Sequence, residues 1–316
     1  MIKKILSQYR INIAVIIFIS LFTLLFPYIV TIINMKKADV RIFKPDMSGK
    51  YVSISIGSEN MEMDVELFIP LVLYSVMPEN YEEETLKAMT VIIRTYIIHK
   101  MNGAEKINAE ELGLPYTTYV ELEKKWGTKY EEKYNYTMKL IENTNNLIIY
   151  YEGKPIYPYY HEISAGVTNA GEYGYLQSVE SKEDMQAEEY LGVLYFTADN
   201  INEKIKSKIN TDLTGKNLVD EIKLNMEDNN EYVRSVSIGE NVIGAEDWQK
   251  IFELPSTAFT FEAFSDGYKM VSKGKGCGKG LSIYGAEKMA NHGKAYDEII
   301  KYYFTGVEIH KDGGII

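Results

Sequence analysis

The sequence predicts an α+β fold, with one transmembrane helix near the N-terminus followed by a domain of mixed helices and antiparallel strands. An uncharged apolar stretch, Ile11–Ile33, has the length and composition of a membrane-spanning helix. Apolar residues recur at helical spacing within Tyr81–Met101. Several other segments alternate or turn at glycine-containing tripeptides, which is typical of hairpins, so helices and hairpins together favour an α+β domain.

The apolar stretch Ile11–Ile33 is the first element. At about 1.5 Å of rise per residue, it is long enough to cross a hydrocarbon core of about 30 Å. Pro27 lies within it, and transmembrane helices tolerate proline. The residues that follow, "NMKKADV", show no small-residue cleavage site, so we expect an uncleaved anchor rather than a signal peptide.

The orientation of this anchor is less well determined by charge. Basic residues lie on both sides of it, at Lys3, Lys4, Arg10, Lys36, Lys37 and Arg41. The positive-inside count is therefore nearly balanced. Because nearly all of the chain follows the anchor, we expect a single-pass membrane protein with a cytoplasmic tail and anchor over 1–34, a linker over 35–50 and an extracytoplasmic domain over 51–316.

The domain begins with the alternating segment Tyr51–Ile56, which predicts a strand. In "MEMDVELFIPLVLYSV", Pro70 interrupts an apolar run, which indicates a short strand or turn and then a short buried helix. A longer helix is predicted over Tyr81–Met101, buried on more than one side. Asn80 is its predicted cap, with Glu83 completing an imperfect capping box.

The remaining elements follow from local patterns. A helix is predicted over Tyr130–Thr144. Hairpins are predicted to turn at "EGK", "GEN" and "SDG". "EDWQKIFEL" predicts a short helix, and "YGAEKMANHGKAYDEIIKYYFTGVEI" predicts two short helices and a final strand. The segment Lys182–Asp228 gives no clear pattern.

Composition excludes some classes of function. A net charge of −11 argues against a general nucleic-acid binder, which needs a basic face for phosphates. Cys277 is the only cysteine, so an intrachain disulfide and a multi-thiolate metal site are excluded, and we expect an inert thiol. The four histidines lack metal-ligand spacing, so no metal or other cofactor is expected. The 26 tyrosines fit a carbohydrate groove, but AT-rich coding sequence explains them more simply.

Three stretches carry a resemblance to a known family. "VELFIPLVLYSVMPENYEEETLKAMTVIIRTY" stands where the family has an acidic-aromatic start, "SEMP" and "EALKAQAVAARTY". "YYEGKPIYPYYHEISAGVTN" is similar to a glycine turn followed by "YYHSTSGGKT", and "GKGCGKGLSIYGA" is similar to "GWGHGVGMSQYGA". In this order, and with "YYFTG" near the end, the stretches resemble the stage II sporulation protein D family (SpoIID/LytB), and together they cover most of the domain.

The resemblance implies lytic cleavage of peptidoglycan glycan strands during engulfment of the forespore. In such an enzyme one glutamate protonates the glycosidic oxygen, and its carboxylate then deprotonates the sugar's own hydroxyl. The matching residues that we expect to bind substrate are Arg94, Tyr96, His161, Ser164, Ser282 and Tyr284. For three of them a structural role is an open alternative: Arg94 as a buried scaffold residue bonded to the glycine loop, and His161 and Ser164 in hairpin hydrogen bonds.

The sequence departs from the family at the position of the catalytic glutamate, where it has Val76. Valine cannot transfer a proton, and loss of a general acid costs about 10²- to 10⁴-fold in rate. Glu79 and Glu66 are the fallback acids, provided that the backbone differs. In the glycine loop, Lys275 and Cys277 replace tryptophan and histidine, which removes an aromatic face for stacking sugars and a polar contact.

Three hypotheses about function remain. The leading one is a membrane-anchored, peptidoglycan-associated protein that binds glycan strands but has lost their cleavage, because Val76 replaces the acid. The second is an active lytic transglycosylase with a relocated acid, Glu79 or Glu66. The third is a non-enzymatic adaptor that contacts other membrane-anchored sporulation proteins of wall remodelling, with Glu180–Glu231 as the contact region.

Overall fold

The computed structural model describes residues 22, 44–56, 59–77, 80–209, 211–229 and 231–312. These residues form mixed helices and mainly antiparallel sheets, which confirms the α+β prediction for the domain. No helix among them is long and apolar enough to span a membrane. The predicted anchor, Ile11–Ile33, lies outside the described residues apart from Phe22, so the anchor and the domain boundaries stay predictions.

The first part of the domain packs two helices against a small sheet. Its elements are β1 (Tyr51–Ile56), β2 (Glu59–Asp64), α1 (Val65–Val76), α2 (Glu83–Met101) and β3 (Lys106–Asn108). β1 pairs antiparallel with β2 and parallel with β3. The Asp64 side chain accepts a hydrogen bond of 2.9 Å from the Glu66 amide and so caps α1, as short polar side chains do at helix starts.

Helix α2 is the central element of the domain. Its residues are buried around most of the helix circumference, including Met89, Val91 and Ile93 at 0% exposure, as the widened apolar stripe predicted. The predicted cap is wrong: the capping residue is Glu82, and Asn80 lies upstream in a left-handed conformation with φ of 79°. A carboxylate from a distant helix satisfies the Glu82 amide instead, as described below.

The middle of the chain adds short helices and a hairpin. These elements are α3 (Ala109–Leu112), α4 (Tyr119–Trp126), a 3₁₀ turn (Gly127–Lys129), α5 (Tyr130–Asn143), β4 (Leu147–Tyr151), β5 (Lys154–Pro155) and β6 (Tyr160–His161). The predictions of α5 and of the β4–β5 hairpin are confirmed, whereas α3 and α4 were not predicted. A capping box between Thr118 and Glu121 begins α4.

The C-terminal half contains the remaining elements. They are a 3₁₀ turn (Lys182–Gln186), β7 (Leu191–Phe196), α6 (Ala198–Ile209), α7 (Leu218–Glu221), β8 (Ile222–Met226), β9 (Val233–Ile238), β10 (Asn241–Gly244), α8 (Ala245–Phe252), β11 (Phe259–Phe264), β12 (Gly267–Lys273), β13 (Leu281–Ser282), α9 (Ile283–Asn291), α10 (Tyr296–Tyr303) and β14 (Glu308–Lys311). The hairpins predicted at "GEN" and "SDG" are confirmed as β9–β10 and β11–β12. β14 returns to pair antiparallel with β4.

Two large hydrophobic cores hold these elements together. One surrounds α2 and includes residues of α9 and α10 near the C-terminus, and the other surrounds Trp248 of α8. A small third cluster joins Ala165, Tyr232 and Ala258. The Tyr232 hydroxyl accepts a hydrogen bond of 2.9 Å from the Ala165 amide and donates one of 2.9 Å to the Val167 carbonyl, so it ties β9 to the segment after β6.

Candidate functional site

The three stretches that carry the family resemblance meet in space. β6 and β13 form a short parallel ladder in which His161 lies beside Ser282. Two residues after His161, Ile163 forms an antiparallel bridge with Lys275 of the glycine loop. The Glu287 carboxylate of α9 accepts hydrogen bonds from the Glu82 amide (3.0 Å) and the Thr85 hydroxyl (2.8 Å), so the start of α2 is attached to the same region.

Val76 is the last residue of α1. It is partly buried and packs against the main core. The helix ends there because Met77 adopts an extended conformation, while its amide still bonds to the Leu73 carbonyl. The position of the family's glutamate is therefore a helix end that carries an aliphatic side chain. Glu79, a fallback acid, lies outside the described residues.

Glu66, the other fallback acid, forms a buried ion pair with Arg94. The guanidinium donates from Nε to Oε1 and from Nη2 to Oε2, both at 2.7 Å. Glu66 is 0% exposed and Arg94 is 1% exposed. Arg94 also donates to the Thr144 carbonyl at 2.8 Å. This geometry favours the scaffold interpretation of Arg94, although its partners are α1 and the end of α5 rather than the glycine loop.

Tyr96 also points into the protein. It lies on α2, two residues beyond Arg94, and its hydroxyl donates 2.7 Å to the Leu112 carbonyl. Burial is the main reason that its pKa is raised, with a contribution from Tyr157. Its ring meets that of Tyr157 edge-on, with the centroids 5.2 Å apart. The structure thus places Tyr96 in the packing between α2 and the β5–β6 connection.

His161 is buried at the centre of the site, with 4% exposure. Its Nδ1 lies 3.0 Å from the Lys279 carbonyl oxygen, which can only accept, so Nδ1 carries the proton. Burial lowers the pKa of His161 from 6.5 to about 4, which keeps the ring neutral. Nε2 has no hydrogen-bond partner among the described residues, so a neutral acceptor is available there.

Ser164 and Ser282 converge on one buried carboxylate. The Ser164 amide and the Ser282 hydroxyl each donate 2.6 Å to the same oxygen of Asp184. The Ser282 oxygen also accepts from the Gly285 amide at 3.1 Å and so caps α9. All three side chains are 0% exposed, and burial raises the pKa of Asp184. Asp184 therefore joins the second and third motifs, a role that its place in the patternless segment did not predict.

The glycine loop packs tightly against both neighbouring segments. Gly280 has φ of +71°, and a Cβ atom there would lie 2.0 Å from the Tyr159 carbonyl oxygen. At Gly278, with φ of +76°, a Cβ would lie 2.2 Å from the Tyr232 ring. Only glycine fits both the conformation and the available space at these positions. The loop is thus a fixed part of the site.

Tyr284 and a charged cluster form the more accessible part of the site. Tyr284 is partly buried, and Lys288 Nζ lies 5.0 Å from the centre of its ring. Lys275 Nζ lies 2.6 Å from a carboxylate oxygen of Glu162 and 3.2 Å from one of Glu189. The bond to Glu162 is the main cause of a raised pKa at Lys275. Burial raises the pKa of Tyr81, and the nearby charges of Glu287 and Glu162 raise it further.

Sequence reasoning missed Glu162. The substitution itself is visible in the sequence, because "YYHEIS" has glutamate where the family pattern "YYHSTS" has serine. The sequence shows Lys275 in place of the tryptophan, but it does not indicate that Lys275 pairs with this glutamate. In the described part of the chain, no group of three or more histidine, cysteine or acidic residues is arranged to hold a metal ion.

The glycine loop, the two-stranded ladder and the long buried helix are built from the three stretches that resemble the stage II sporulation protein D family, and comparison with known proteins agrees with that resemblance. A family model described as "SpoIID: Stage II sporulation protein" matches residues 58–151. The stage II sporulation protein D of Bacillus subtilis is 30% identical over 273 residues, covering 82% of this chain and 77% of the relative. The chain belongs to the stage II sporulation protein D family.

Two further relatives match over a comparable part of the chain. The stage II sporulation protein D of Bacillus amyloliquefaciens is 29% identical over 284 residues, covering 84% of this chain and 81% of the relative. An uncharacterized protein of Brachyspira hyodysenteriae is 27% identical over 268 residues, covering 78% and 67%, respectively. The similarity therefore extends well beyond the residues that the family model matches.

Proposed function

We propose that this member of the family is a peptidoglycan-associated protein of sporulation that binds glycan strands but no longer cleaves them. The observation that carries the proposal is Val76 at the end of α1, where the family resemblance implies the acid. An aliphatic side chain can neither protonate a glycosidic oxygen nor accept the sugar hydroxyl proton.

The nearby carboxylates do not replace the missing acid well. Glu66 is inaccessible to a sugar, because it is fully buried in its pair with Arg94. Glu162 is exposed, but its carboxylate is held 2.6 Å from the Lys275 ammonium, so it could reach a glycosidic oxygen only by giving up this ion pair. Glu287 is bound to the start of α2.

Retained binding of glycan is supported by the surface around the loop. Partly exposed tyrosine rings, Tyr81, Tyr159 and Tyr284, lie next to the motifs and can stack against sugar rings while their hydroxyls stay wet. The glycine loop, which is packed tightly against its neighbours, holds this surface in a fixed shape. We also propose, from the sequence, that residues 11–33 anchor the chain in a membrane and that the domain is extracytoplasmic.

The test uses purified full-length protein with purified peptidoglycan. We expect the protein to sediment with the insoluble wall material while the supernatant contains no anhydro-muropeptides. A Tyr284→Ala variant should sediment less, whereas Tyr136→Ala, which removes an exposed tyrosine on α5, should sediment like the parent.

Release of anhydro-muropeptides by the natural sequence would overturn the loss of cleavage. If a Glu162→Gln variant abolished that release, Glu162, which pairs with Lys275 of the glycine loop, would be the relocated acid. Absence of sedimentation would instead favour an adaptor that contacts other membrane-anchored wall-remodelling proteins.

A further inference from the structure

Strand β7 (Leu191–Phe196) forms an edge of its sheet. The strand order is β11–β12–β7, so β12 occupies one side of β7, and the other side pairs with no strand among the described residues. β7 follows β12 antiparallel in one continuous register over its whole length. An unbroken edge strand presents a row of backbone amides and carbonyls to which another strand can add.

The hydrogen bonds of this ladder show which backbone groups of β7 face outward. The Gly274 amide donates 2.7 Å to the Tyr190 carbonyl, so this pair, which continues the register of β7 and β12, is hydrogen-bonded. Hydrogen-bonded and non-hydrogen-bonded pairs alternate along an antiparallel ladder. The amides and carbonyls of Leu191, Val193 and Tyr195 therefore point away from β12, and they have no partner within the described part of the chain.

The same three residues expose apolar side chains. Leu191 is 61% exposed, Val193 45% and Tyr195 63%. The alternate residues Leu194 and Phe196 face the other way and pack against the core around Trp248. β7 is thus apolar on both faces, a pattern that is typical of a strand covered on both sides.

β7 lacks the features that keep other edge strands apart. In the described sheets, the other edge strands of more than four residues are β2, β8 and β11, and each carries a charged side chain, for example Glu62, Lys223 and Glu262. β8 also contains a register irregularity. β7 reads "LGVLYF", without a charge, a proline or a bulge. Since charges, prolines and bulges prevent sheets from joining at their edges, β7 is open to pairing.

The edge of β7 is complementary to itself. In an antiparallel pair of β7 strands with a two-fold axis at Val193, this residue lies opposite Val193 of the second copy, and Leu191 lies opposite Tyr195. All three outward-facing residues then occupy hydrogen-bonded positions, because such positions recur at every second residue. On the exposed face, the Leu191 side chain meets the Tyr195 ring of the other copy, which is a favourable cross-strand pair.

We propose that β7 pairs with β7 of a second copy of this chain, so that two three-stranded sheets join into one continuous sheet. The occupant is a second copy because both the outward backbone groups and the apolar side chains are arranged symmetrically about Val193. Contacts of this kind, in which the same patch of two identical chains meets across a two-fold axis, are the commonest in homo-oligomers. This association does not depend on glycan binding.

The contact is small. One strand edge buries much less than the roughly 800 Å² per partner of a standard interface, so the dimer is weak and its population depends on protein concentration. No charged side chain of β7 has to leave water when it forms. Covalent trapping is therefore the appropriate measurement, because it accumulates a dimer that is only partly populated.

Disulfide trapping of the full-length protein tests the position of the axis. In Val193→Cys, the two Cα atoms lie about 5.5 Å apart across the axis, within the range of roughly 4.4–6.8 Å that a disulfide spans. Mild oxidation should therefore give a band at twice the monomer mass of 36.2 kDa on a non-reducing gel. Val242→Cys, at a valine that is 65% exposed on the edge strand β10, is the matched control and should stay monomeric. The parent reports any dimer that forms through Cys277.

The register is tested by mixing two variants. Leu191→Cys and Tyr195→Cys face each other across the proposed contact, so their equimolar mixture should form a disulfide-linked dimer. Within either variant alone, the two thiols lie about 14 Å apart along the strands, which a disulfide cannot span. Dimer formation by one variant alone to the same extent as by the mixture would overturn the proposed register.

The native association is tested without a new cysteine. Sedimentation velocity of the parent should show a mass that increases with concentration, whereas Val193→Lys should remain a monomer, because two ammonium groups would face each other at the axis. Val242→Lys should associate like the parent. Both valines are exposed, so both variants should keep the parent's unfolding curve. A parent that stays monomeric, equal trapping of Val193→Cys and Val242→Cys, or unchanged association of Val193→Lys would each overturn the proposal.

Discussion

Arg94 of α2 and Glu66 of α1 meet through two parallel hydrogen bonds of 2.7 Å. The guanidinium and the carboxylate thus form a planar, bidentate contact within the core. The remaining terminal nitrogen of Arg94 donates to the Thr144 carbonyl at the end of α5. One arginine therefore connects three helices beneath the site. The sequence motif suggests that Arg94 binds substrate, but in the structure its role is to hold these helices together.

Breaking this pair should strongly destabilise the protein. In Glu66→Gln, the Arg94 charge stays buried without its counter-charge, and removal of one partner of a buried pair costs about 3–5 kcal/mol. Urea denaturation should show this as a lower free energy of unfolding. The matched control is Glu62→Gln, which breaks the exposed pair with Lys106 and should change the free energy of unfolding very little, because solvent screens that pair. Similar costs for the two variants would contradict the buried-pair interpretation.

His161 should make stability depend on pH. Its pKa is depressed to about 4 in the folded protein, so below pH 6.5 the unfolded chain binds a proton that the folded protein does not. The free energy of unfolding is therefore highest above pH 6.5, and it decreases as the pH falls toward about 4. The expected loss at pH 5 is about 2 kcal/mol.

The measurement for His161 is the free energy of unfolding at pH 7 and pH 5. His161→Gln should lose this part of the pH dependence, although the buried Asp184, whose pKa is raised, contributes with the opposite sign in both proteins. His292→Gln, at a largely exposed side chain, is the control for replacing a histidine outside the core. An unchanged profile in His161→Gln would show that the imidazole is protonated as easily in the folded state as in the unfolded one.

Gly280→Ala should disrupt the glycine loop. The added Cβ would lie 2.0 Å from the backbone oxygen of Tyr159, which cannot move without breaking the ladder between β6 and β13. We expect a loss above about 3 kcal/mol or failure to fold. Gly293→Ala has a similar φ of +81° and free space around the added atom, so only backbone strain of about 1–2 kcal/mol is expected. Thermal unfolding of the two variants compares the cost of a steric clash with the cost of backbone strain. Equal losses of stability would mean that the clash at Gly280 contributes little.

Val76→Glu alone should not produce cleavage of glycan strands. A general acid contributes about 10²- to 10⁴-fold, but the family pattern is also altered elsewhere in the site, where Glu162 and Lys275 replace a serine and a tryptophan and form an ion pair. The assay is release of anhydro-muropeptides, with Val76→Gln as the isosteric control. If the glutamate variant releases fragments and the glutamine variant does not, the rest of the catalytic site is intact and the proposed loss of cleavage depends on this residue alone.

Much of the fold could be predicted because its signals are local. The strand Tyr51–Ile56 and the hairpins of the C-terminal half follow from alternation and turn residues, and α2 follows from helical spacing. The short helices α3 and α4 were not predicted, because they are too short to show a periodic pattern. The cap of α2 was mispredicted because Glu287, 205 residues away, satisfies the Glu82 amide in place of a local side chain.

The site was harder to predict, because its contacts are between distant residues. The sequence matched Arg94 and His161 to the family motifs, but their actual partners, Glu66 and the Lys279 carbonyl, depend on the three-dimensional arrangement. Asp184 lies in a segment without a clear pattern, and only the structure brings it to Ser164 and Ser282. The substitution at Val76, in contrast, is fully visible in the sequence.

The pairing of β6 with β13 also constrains how the protein is made. His161 contacts Lys279 across a sequence separation of 118 residues, and the contact between the start of α2 and α9 spans a longer separation. Contacts of such separation form slowly, and a chain emerging from the ribosome can bury the helices around α2 well before the loop exists. The glycine loop and its ladder are therefore assembled last, and a nascent chain that stops short of residue 274 would contain folded helices but no completed ladder.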